Sequence, residues 1–376
     1  MKDAFVFIPL RSGTLRLSIE RADLPLADLC GFGSRRSRKR GFVFVSKVLG
    51  KHIPVRPERM AEIHTRLADK LGDPPGPIVL IALAETATAL GHGMAEAWLR
   101  RTGRDDLLFL HTTRYRLNQP VALNFEEAHS HATRHLLYRP VLREHADHFH
   151  AARTLVLVDD EISTGRTLGN LAIAYHALNP RLANVHLTCI TDWLGDERRA
   201  EFVQRIGVPV AFTNLLQGDF NFQGNLDFDP GPIPNVTGST ERKDAILARN
   251  HGRLGVCGLA RYDLDSMIDA ARLGPGERIL VLGTGEFSYP PFLLARRLEA
   301  LGCDVHFQAT TRSPLCLDGD ISSVLEFPDN YHDDIPNYVY NVADRCYDRI
   351  MIGYETAPLP TGHQLAQRQG GHAIFF

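Results

Sequence analysis

Short apolar runs alternate with longer amphipathic stretches between residues 76 and 215. Four of these segments have the pattern of a strand and two have that of a helix: strands in PIVLIALA (77–84), DLLFLHTT (106–113), TLVLVDD (154–160) and ANVHLTCIT (183–191), helices in ATALGHGMAEAWLRR (87–101) and LGNLAIAYHALN (168–179). Strands that are apolar almost throughout and alternate with helices are typical of a parallel sheet covered on both faces. The pattern therefore predicts an α/β domain built on a parallel sheet.

The alternation stops at a stretch rich in Gly, Pro, Asn and Asp, residues 218–244. Such a composition without apolar periodicity indicates a linker. Three further strand-into-loop units follow it: RILVLGTGE (278–286), DVHFQATTR (304–312) and DRIMIGYET (348–356). We predict three parts: a first domain over 1–217, with an N-terminal segment 1–60 ahead of the core, a linker over 218–249, and a second α/β domain over 250–376.

The composition narrows the classes of function. The chain has 376 residues, enough for about two domains. Lys and Arg total 42 against 44 Asp and Glu, so no overall basic charge points to nucleic acid as a partner. Six cysteines without a CxxC pair argue against a disulfide framework or a zinc ribbon. No long apolar run resembles a signal peptide or a membrane span, and we expect a cytoplasmic protein without a membrane partner.

Paired acids and a small-residue loop stand out in TLVLVDDEISTGRT, residues 154–167. Asp159 and Asp160 end a predicted strand, which is where ligands of such sheets bind. Carboxylates only accept hydrogen bonds, and the adjacent hydroxyls of a ribose offer two donors. The loop that follows precedes a predicted helix, so its backbone N–H groups and the positive helix end can hold a phosphate: Ser163, Thr164, Gly165, Arg166 and Thr167. A ribose 5-phosphate accounts for both features.

P-loop NTPases also have an acidic strand of this kind, but they need GxxxxGK[ST] earlier in the chain. The only Gly-Lys pair is Gly50-Lys51, which His52 follows. Val45 stands where the first glycine belongs. The sequence therefore excludes a P-loop NTPase.

The stretch LVLVDDEISTGRT resembles the phosphoribosyl-pyrophosphate (PRPP) signature of the type I phosphoribosyltransferases. Four further motifs together resemble the subfamily of bacterial tellurite-resistance and stress gene clusters, whose C-terminal extension is named for its Thr-Arg-Ser-Pro motif: RKRGFVFVSKVLGKHIPV (38–55), ALAETATALG (82–91), EEAHSHATRH (126–135) and TTRSP (310–314). The resemblance implies the type I phosphoribosyltransferase fold plus a second α/β domain. It also implies an enzyme that makes a nucleoside-like metabolite, with the acceptor left open.

The same resemblance implies a role for each matched residue. Asp159 and Asp160 would hold the ribose 2′- and 3′-hydroxyls, and the loop 163–167 the 5′-phosphate. At Ser163 many purine enzymes of the family carry an aspartate, and its absence argues against hypoxanthine or guanine as the acceptor. The loop after the first strand would line the pyrophosphate: Glu85, Thr86 and Thr88. Mg²⁺ is implied as the cofactor, reached by Asp159 and Asp160 through PRPP and water.

Departure of pyrophosphate needs cations beside it. We rank Lys47 first, because an unpaired lysine within the strand-like FVFVSKVLG would be costly to bury. Arg114, at the end of LHTTR, ranks second. The remaining candidates are Lys51 and the basic run, which is otherwise typical of a solvated face: Arg35, Arg36, Arg38, Lys39 and Arg40.

Residues 124–150 contain six of the 17 histidines and allow three interpretations. They could form a polar helix, a transition-metal site from Glu126, His129 and His131, or a lid that closes over PRPP. The family has its flexible hood between these strands, so we favour the lid, with catalytic candidates His129, His131 and Arg134 beside the two aspartates. A histidine could move the acceptor's proton. Which residue does so stays open.

The second domain has Gly283-x-Gly285, but Ser288 replaces the third glycine of a dinucleotide site, and we expect no such cofactor. We expect a ligand crevice that recognises part of the acceptor or product, lined by Gly283, Gly285, Glu286, Thr311, Arg312 and Ser313. A Thr-Thr-Arg triplet follows a glutamate in both halves of the chain, and the Glu-to-Arg separations are 29 and 26 residues. The second domain could thus be a degenerate copy of the core, although α/β domains repeat at such intervals anyway.

We therefore predict an Mg²⁺-dependent phosphoribosyltransferase that uses PRPP and a base-like small-molecule acceptor. The alternative is a non-catalytic protein that binds PRPP or a nucleotide and regulates a partner. A DNA-binding helix pair and net basic charge would favour that alternative, and the sequence has neither. Nucleic acid and membranes are not expected partners, and a homodimer is the oligomer considered.

Overall fold

The computed structural model describes residues 5–37, 40–126, 134–274 and 276–376. Its helices are α1 (Leu26–Leu29), α2 (Pro57–Leu71), α3 (Thr88–Thr102), α4 (Arg143–Ala151), α5 (Arg166–Leu178), α6 (Gly195–Ile206), α7 (Leu264–Ala271), α8 (Tyr289–Ala300) and α9 (Leu365–Gln369). None of the helices in these ranges is both long and apolar enough to cross a membrane.

The strands up to residue 224 are β1 (Phe5–Leu10), β2 (Gly13–Ala22), β3 (Cys30–Ser34), β4 (Phe42–Ser46), β5 (Ile78–Ala82), β6 (Leu107–His111), β7 (Val121–Glu126), β8 (Arg134–Tyr138), β9 (Thr154–Val158), β10 (Glu161–Ile162), β11 (Asn184–Thr188), β12 (Thr191–Asp192), β13 (Val210–Thr213) and β14 (Leu216–Gly224). Those after it are β15 (Val256–Cys257), β16 (Arg278–Gly283), β17 (Asp304–Ala309), β18 (Val324–Pro328), β19 (Pro336–Tyr340), β20 (Arg349–Tyr354) and β21 (His372–Phe375).

The core sheet has the strand order β13-β11-β9-β5-β6-β15. Its first five strands are parallel, and the short β15 pairs antiparallel to β6. Alternate residues face opposite sides: Leu80 and Val156 join the hydrophobic cluster that contains α3, whereas Val79 and Leu155 join the one that contains α5. The predicted parallel sheet with both faces covered is confirmed, because only such burial accommodates strands without polar positions.

A second sheet of order β1-β2-β14-β12-β10 stands beside the core sheet, and β3 and β4 form a hairpin next to it. Phe42 and Phe44 of the hairpin pack on Phe220, with ring centroids 5.3 and 5.5 Å away. Residues 218–224, which we expected to open the linker, instead continue β14 and pair with β2. The alternation of Phe220 and Phe222 with polar residues is the strand signal that the Gly- and Asn-rich composition concealed.

The C-terminal part has its own parallel sheet of order β17-β16-β20-β21. An antiparallel hairpin, β18 and β19, lies between β17 and β20 in the chain. The three strands predicted here from RILVLGTGE, DVHFQATTR and DRIMIGYET are present as β16, β17 and β20.

The core sheet and the C-terminal sheet are held together by one shared hydrophobic core. Met60 and Ile63 of α2 belong to the same cluster of buried residues as Phe292 of α8 and Phe307 of β17. Val55 and Phe307 also exchange both backbone hydrogen bonds, at 2.9 and 2.7 Å, so the N-terminal segment extends the edge of the second sheet. Removing the C-terminal part would expose this core, and the two parts therefore form one structural unit.

Candidate active site

A polar cavity opens at the carboxyl ends of β5, β6 and β9, where ligands of parallel sheets bind. Six basic and four acidic side chains line it among the described residues: Arg35, Arg40, Lys51, Arg114, Arg166 and Arg312, with Glu85, Asp159, Asp160 and Glu161. It encloses about 1170 Å³ including its mouth. The excess of basic groups suits an anionic ligand.

The paired acids lie where the sequence predicts them. Asp159 and Asp160 follow β9 directly, are half-buried and line the cavity. The Asp159 N–H donates to the Thr188 carbonyl at 3.0 Å, and the Asp160 N–H donates to Asp159 Oδ1 at 2.9 Å. These bonds hold both carboxylates at the sheet edge, in the position that a ligand with two adjacent hydroxyls requires.

The loop 163–167 has the properties of an anion cradle. Its five residues line the cavity, and their backbone N–H groups have no hydrogen-bond acceptor among the described residues. Gly165 has φ +66°, and α5 begins at the next residue. A Cβ at Gly165 would lie 3.0 Å from the Phe202 ring and 3.2 Å from Leu194. The turn therefore needs glycine, and it directs the free N–H groups and the helix end toward the cavity.

The loop after β5 contributes two of its three predicted residues. Glu85 and Thr86 line the cavity, and Glu85 Oε1 is buried without a hydrogen-bond partner among the described residues. Thr88 does not face the cavity: its hydroxyl lies 3.0 Å from the Glu286 carbonyl and 2.8 Å from Ser288 Oγ. Thr88 begins α3, and the side chain of that first helical residue points to the second sheet instead of along the loop.

The structure brings Arg114, but not the first-ranked cation Lys47, into the cavity. Lys47 pairs with Asp320 at 3.3 Å and lies outside the cavity, because β4 ends at Ser46 and the lysine turns to the C-terminal part. Lys51 lies in the cavity, and its Nζ donates to the Thr86 hydroxyl. Arg114, ranked second, also lines the cavity.

Three charged residues of the cavity wall were missed or undervalued from the sequence. Arg40 binds Glu161 and donates to Ser163 Oγ at 3.5 Å, and Arg35 donates to Ser313 Oγ at 3.4 Å. Burial raises the pKa of Glu161, and Arg40 opposes this shift. The two arginines belong to the basic run that is typical of a solvated face. Only the hairpin of β3 and β4 turns that run inward.

Two histidines of the wall were also not predicted. His52 is 3% exposed, and neither of its ring nitrogens has a hydrogen-bond partner among the described residues. Burial, with Lys51 and Arg35 nearby, lowers the pKa of His52 well below its ordinary value, so the ring is neutral. His135 lies 3.1 Å through Nδ1 from Thr112 Oγ1. Its place in the strand-like HLLY was the only sequence signal for it.

The predicted lid residues His129 and His131 lie outside the described residues, as does the side chain of Arg134. The flanking segments form the antiparallel hairpin of β7 and β8, and α4 begins only at Arg143. The interpretation of 124–150 as one polar helix is therefore wrong. The lid and the metal site stay predictions.

The predicted crevice of the second domain is divided between two places. Thr311, Arg312 and Ser313 line the cavity described above. Glu286 is 3% exposed and accepts from the Thr113 hydroxyl at 2.6 Å and the Arg114 N–H at 2.7 Å, so it binds protein instead of a ligand. Gly283 and Gly285 shape the turn before Glu286: a Cβ on Gly283 would lie 2.8 Å from the Phe287 carbonyl oxygen. The predicted residues therefore do not form one crevice: Thr311, Arg312 and Ser313 belong to the large cavity, whereas Glu286 and Gly285 line two separate small cavities.

The donors in the cavity fit Mg²⁺ and not a softer metal. The acids are oxygen ligands, and the buried Glu85 Oε1 is unbonded among the described residues. In the part of the chain that the structure describes, no group of three His, Cys, Asp or Glu side chains could hold a metal ion alone. A magnesium ion in this cavity would need ligand oxygens to complete its shell.

A family model described as a phosphoribosyl transferase matches residues 29–219, about half of the chain. A second model, described as the TRSP domain C-terminal to that transferase, matches residues 253–367. These matches confirm the resemblance that the motifs indicate. The comparison with curated proteins found no match.

Solved structures similar to this chain include two adenine phosphoribosyltransferases. The Trypanosoma brucei protein, in complex with AMP, pyrophosphate and ribose-5-phosphate, is 14% identical with a TM-score of 0.36, and the match covers 56% of this chain and 86% of that one. The Giardia lamblia protein, with 9-deazaadenine, is 14% identical with a TM-score of 0.29 over 42% and 80% of the chains. The Trypanosoma cruzi hypoxanthine enzyme with IMP is 17% identical, with a TM-score of 0.25 over 39% and 72%.

Proposed function

The chain belongs to the phosphoribosyl transferase family, and from that premise we propose that its cavity binds PRPP and transfers the ribose 5-phosphate to a small acceptor. The observation that carries the proposal is the pairing, in one cavity, of two half-buried carboxylates with a loop of free backbone N–H groups. Asp159 and Asp160 suit the ribose hydroxyls, and residues 163–167 suit the 5′-phosphate.

In the proposed reaction, the bond between C1′ and the pyrophosphate oxygen breaks, and that oxygen keeps the electron pair. The lone pair of an acceptor nitrogen forms the new bond to C1′, and the nitrogen's proton is released. PRPP and the N–H group of the acceptor are thus converted to the acceptor's ribose 5′-phosphate derivative, pyrophosphate and a proton. Lys51 and Arg114 line the same cavity, and we assign them to the leaving group, because fixed cations beside growing negative charge stabilise the transition state most.

Asp159 and Asp160 would hold Mg²⁺ through PRPP and water, and the ion would supply positive charge against the pyrophosphate. The chain's own groups would do the rest. The neutral His52 ring would accept a hydrogen bond from the acceptor, because its nitrogens are unbonded among the described residues, but its lowered pKa makes it a weak base for the acceptor's proton.

The acceptor would lie against the hairpin side of the cavity. There four apolar residues line the cavity beside the charged Arg35, Arg40 and Glu161: Val43 and Phe44 from β4, and Ile162 and Leu168 beside the phosphate loop. Phe44 is held flat against Trp193, with ring centroids 4.8 Å apart and planes 6° apart. A flat apolar wall of this kind suits a base-like acceptor. The stress-linked pathway and the cytoplasmic location stay predictions from the sequence.

Pyrophosphate release tests the proposal. The full chain is incubated with PRPP and MgCl₂, first with a panel of purine, pyrimidine and pyridine bases and then with fractionated metabolite extracts. We expect acceptor-dependent pyrophosphate and a product heavier than the acceptor by a ribose 5-phosphate. PRPP binding without pyrophosphate release from any fraction would favour the alternative, a regulatory protein that binds PRPP without catalysis.

A further inference from the structure

The two parallel sheets share one strand order. The order β6-β5-β9-β11 in the first domain corresponds to β17-β16-β20-β21 in the second. In both, a hairpin is inserted between the second and third of these strands along the chain: β7 and β8 in one, β18 and β19 in the other. Sequence spacing alone left a duplication open, and the common topology favours it.

Equivalent residues also make equivalent hydrogen bonds. The Ala84 N–H donates to Thr112 Oγ1 at 2.8 Å, and the Gly285 N–H donates to Thr310 Oγ1 at 3.0 Å. The next residue of each triplet, Thr113 or Thr311, exchanges two backbone bonds with its own hairpin, at Leu136 or Tyr338. The two Thr-Thr-Arg triplets therefore stand at the same position in two copies of one fold, and Arg312 is the counterpart of Arg114.

Among its described residues, the second copy has no free acid pair at the end of its sheet. Counting along the registers, Glu355 corresponds to Asp160. Its carboxylate accepts two bonds from Arg253, at 2.6 and 2.7 Å, and one from the Tyr331 hydroxyl at 2.8 Å. Arg253 also reaches Glu286 at 3.2 Å and is 2% exposed. The position of the acid pair is filled by protein, so this copy cannot receive PRPP there.

Arg312 faces the first copy's cavity. It is 5% exposed and lies 4.9 Å over the Tyr115 ring, and among the described residues no carboxylate lies within ion-pair distance of it. Burial opposes its charge, but Tyr115 and Glu85 raise the pKa of Arg312. A buried guanidinium without a paired acid is costly unless an anion binds it.

The anion that suits Arg312 is the pyrophosphate of PRPP. The 5′-phosphate already has the cradle 163–167, whereas Arg312 is electrostatically coupled to Glu85 in the loop after β5. Lys51 stands in the same wall, positioned by the Gln308 side chain, which donates to the Lys51 carbonyl at 3.2 Å. We propose that the second domain is a degenerate copy that serves as a built-in partner and supplies Arg312 to the pyrophosphate of PRPP in the first copy's site.

This inference rests on the proposed function, and the test separates the two. Binding of PRPP and of ribose 5-phosphate, each with MgCl₂, is measured by calorimetry on the full-length wild type, Arg312→Ala and Arg312→Lys. Ribose 5-phosphate lacks the pyrophosphate and is the internal control for an intact site. The matched variant is Arg261→Ala, an exposed arginine of the second domain away from the cavity.

We expect Arg312→Ala to weaken PRPP binding about 10- to 100-fold, the cost of losing a charge-assisted hydrogen bond. Its affinity for ribose 5-phosphate should stay that of the wild type, Arg312→Lys should be intermediate for PRPP, and Arg261→Ala should match the wild type. Wild-type PRPP affinity in Arg312→Ala, or equal loss of both ligands, would overturn the role of Arg312 and leave the proposed function standing. If the wild type binds neither ligand, the proposed function itself fails.

Discussion

Replacing Arg253 by methionine should destabilise the whole molecule. Arg253 is a buried cation between two buried acids, Glu355 and Glu286, whose side chains are 1% and 0% exposed. Methionine fills similar space but leaves both carboxylates without their cation. Loss of one member of such a buried pair costs about 3–5 kcal/mol, because the remaining charge is neither hydrated nor paired.

That cost converts to a measurable shift in melting temperature. The hydrophobic core is shared between the two domains, so we expect one cooperative transition. An unfolding entropy of roughly 2.1 cal/mol/K per residue makes each kcal/mol worth about 1.3 °C for a chain of this length. Arg253→Met should therefore melt about 4–6 °C below the wild type at pH 7.5.

The size of the deficit should depend on pH. In the wild type burial opposes ionisation of Glu355, but Arg253 lowers its pKa below the ordinary value, so this contribution is lost only when pH falls through that low pKa. Without Arg253, burial dominates and raises the pKa of Glu355. The variant then loses stability as pH rises above the ordinary pKa range of a carboxyl. Its melting temperature should therefore lie closer to that of the wild type at pH 5 than at pH 7.5.

Thermal unfolding followed by circular dichroism at the two pH values measures both effects. The matched control is Arg349→Met, since Arg349 also forms a bidentate pair, with Glu277 at 2.9 and 3.1 Å, but both side chains are about one-fifth exposed. A pair so exposed is worth at most about 1 kcal/mol. Equal melting temperatures of Arg253→Met and Arg349→Met would refute the reasoning. A difference between Arg253→Met and the wild type that grows toward pH 5 would also refute it.

Two further predictions concern the cavity. Gly165→Ala should lower the affinity for ribose 5-phosphate at least tenfold, because φ +66° costs an alanine about 1–2 kcal/mol and its Cβ would press on Phe202 at 3.0 Å; wild-type affinity by calorimetry would mean that the phosphate binds elsewhere. Lys51→Met should weaken PRPP binding about tenfold or more, while Lys47→Met, whose lysine pairs with Asp320 outside the cavity, should leave it unchanged. A larger loss of PRPP affinity in Lys47→Met than in Lys51→Met would instead support the ranking from the sequence, in which Lys47 comes first.

The parts of the fold that follow from periodicity could be predicted from the sequence. The strands β5, β6 and β9 are buried on both faces, so their apolar runs are unambiguous. Asp159, Asp160 and the loop 163–167 could be placed for the same reason, since they follow such a strand directly. By contrast, β14 has a mixed pattern, because Phe220 and Phe222 alternate with Asp and Asn. The composition of its second half therefore predicts a linker instead of a strand.

Other parts of the site depend on long-range packing that the local sequence does not encode. Lys47 and Lys51 are four residues apart, and only the pairing of residues 50–55 with β17 decides that Lys51 enters the cavity. Arg35 and Arg40 look like a solvated basic run until their hairpin folds over the cavity. Arg312 follows a strand of the C-terminal sheet, and its place in the cavity results from the packing of that sheet against the core sheet.

The central claim is that the paired acids hold the ribose of PRPP, and calorimetric titration of PRPP with MgCl₂ into the wild type and into Asp159→Asn/Asp160→Asn tests it most directly. Each lost charge-assisted hydrogen bond costs about 1.5–3 kcal/mol, so the double variant should bind at least about 100-fold more weakly. Because both side chains are half-buried and asparagine has the same shape, its circular dichroism spectrum should match that of the wild type. PRPP binding of equal affinity in a folded double variant would contradict the account.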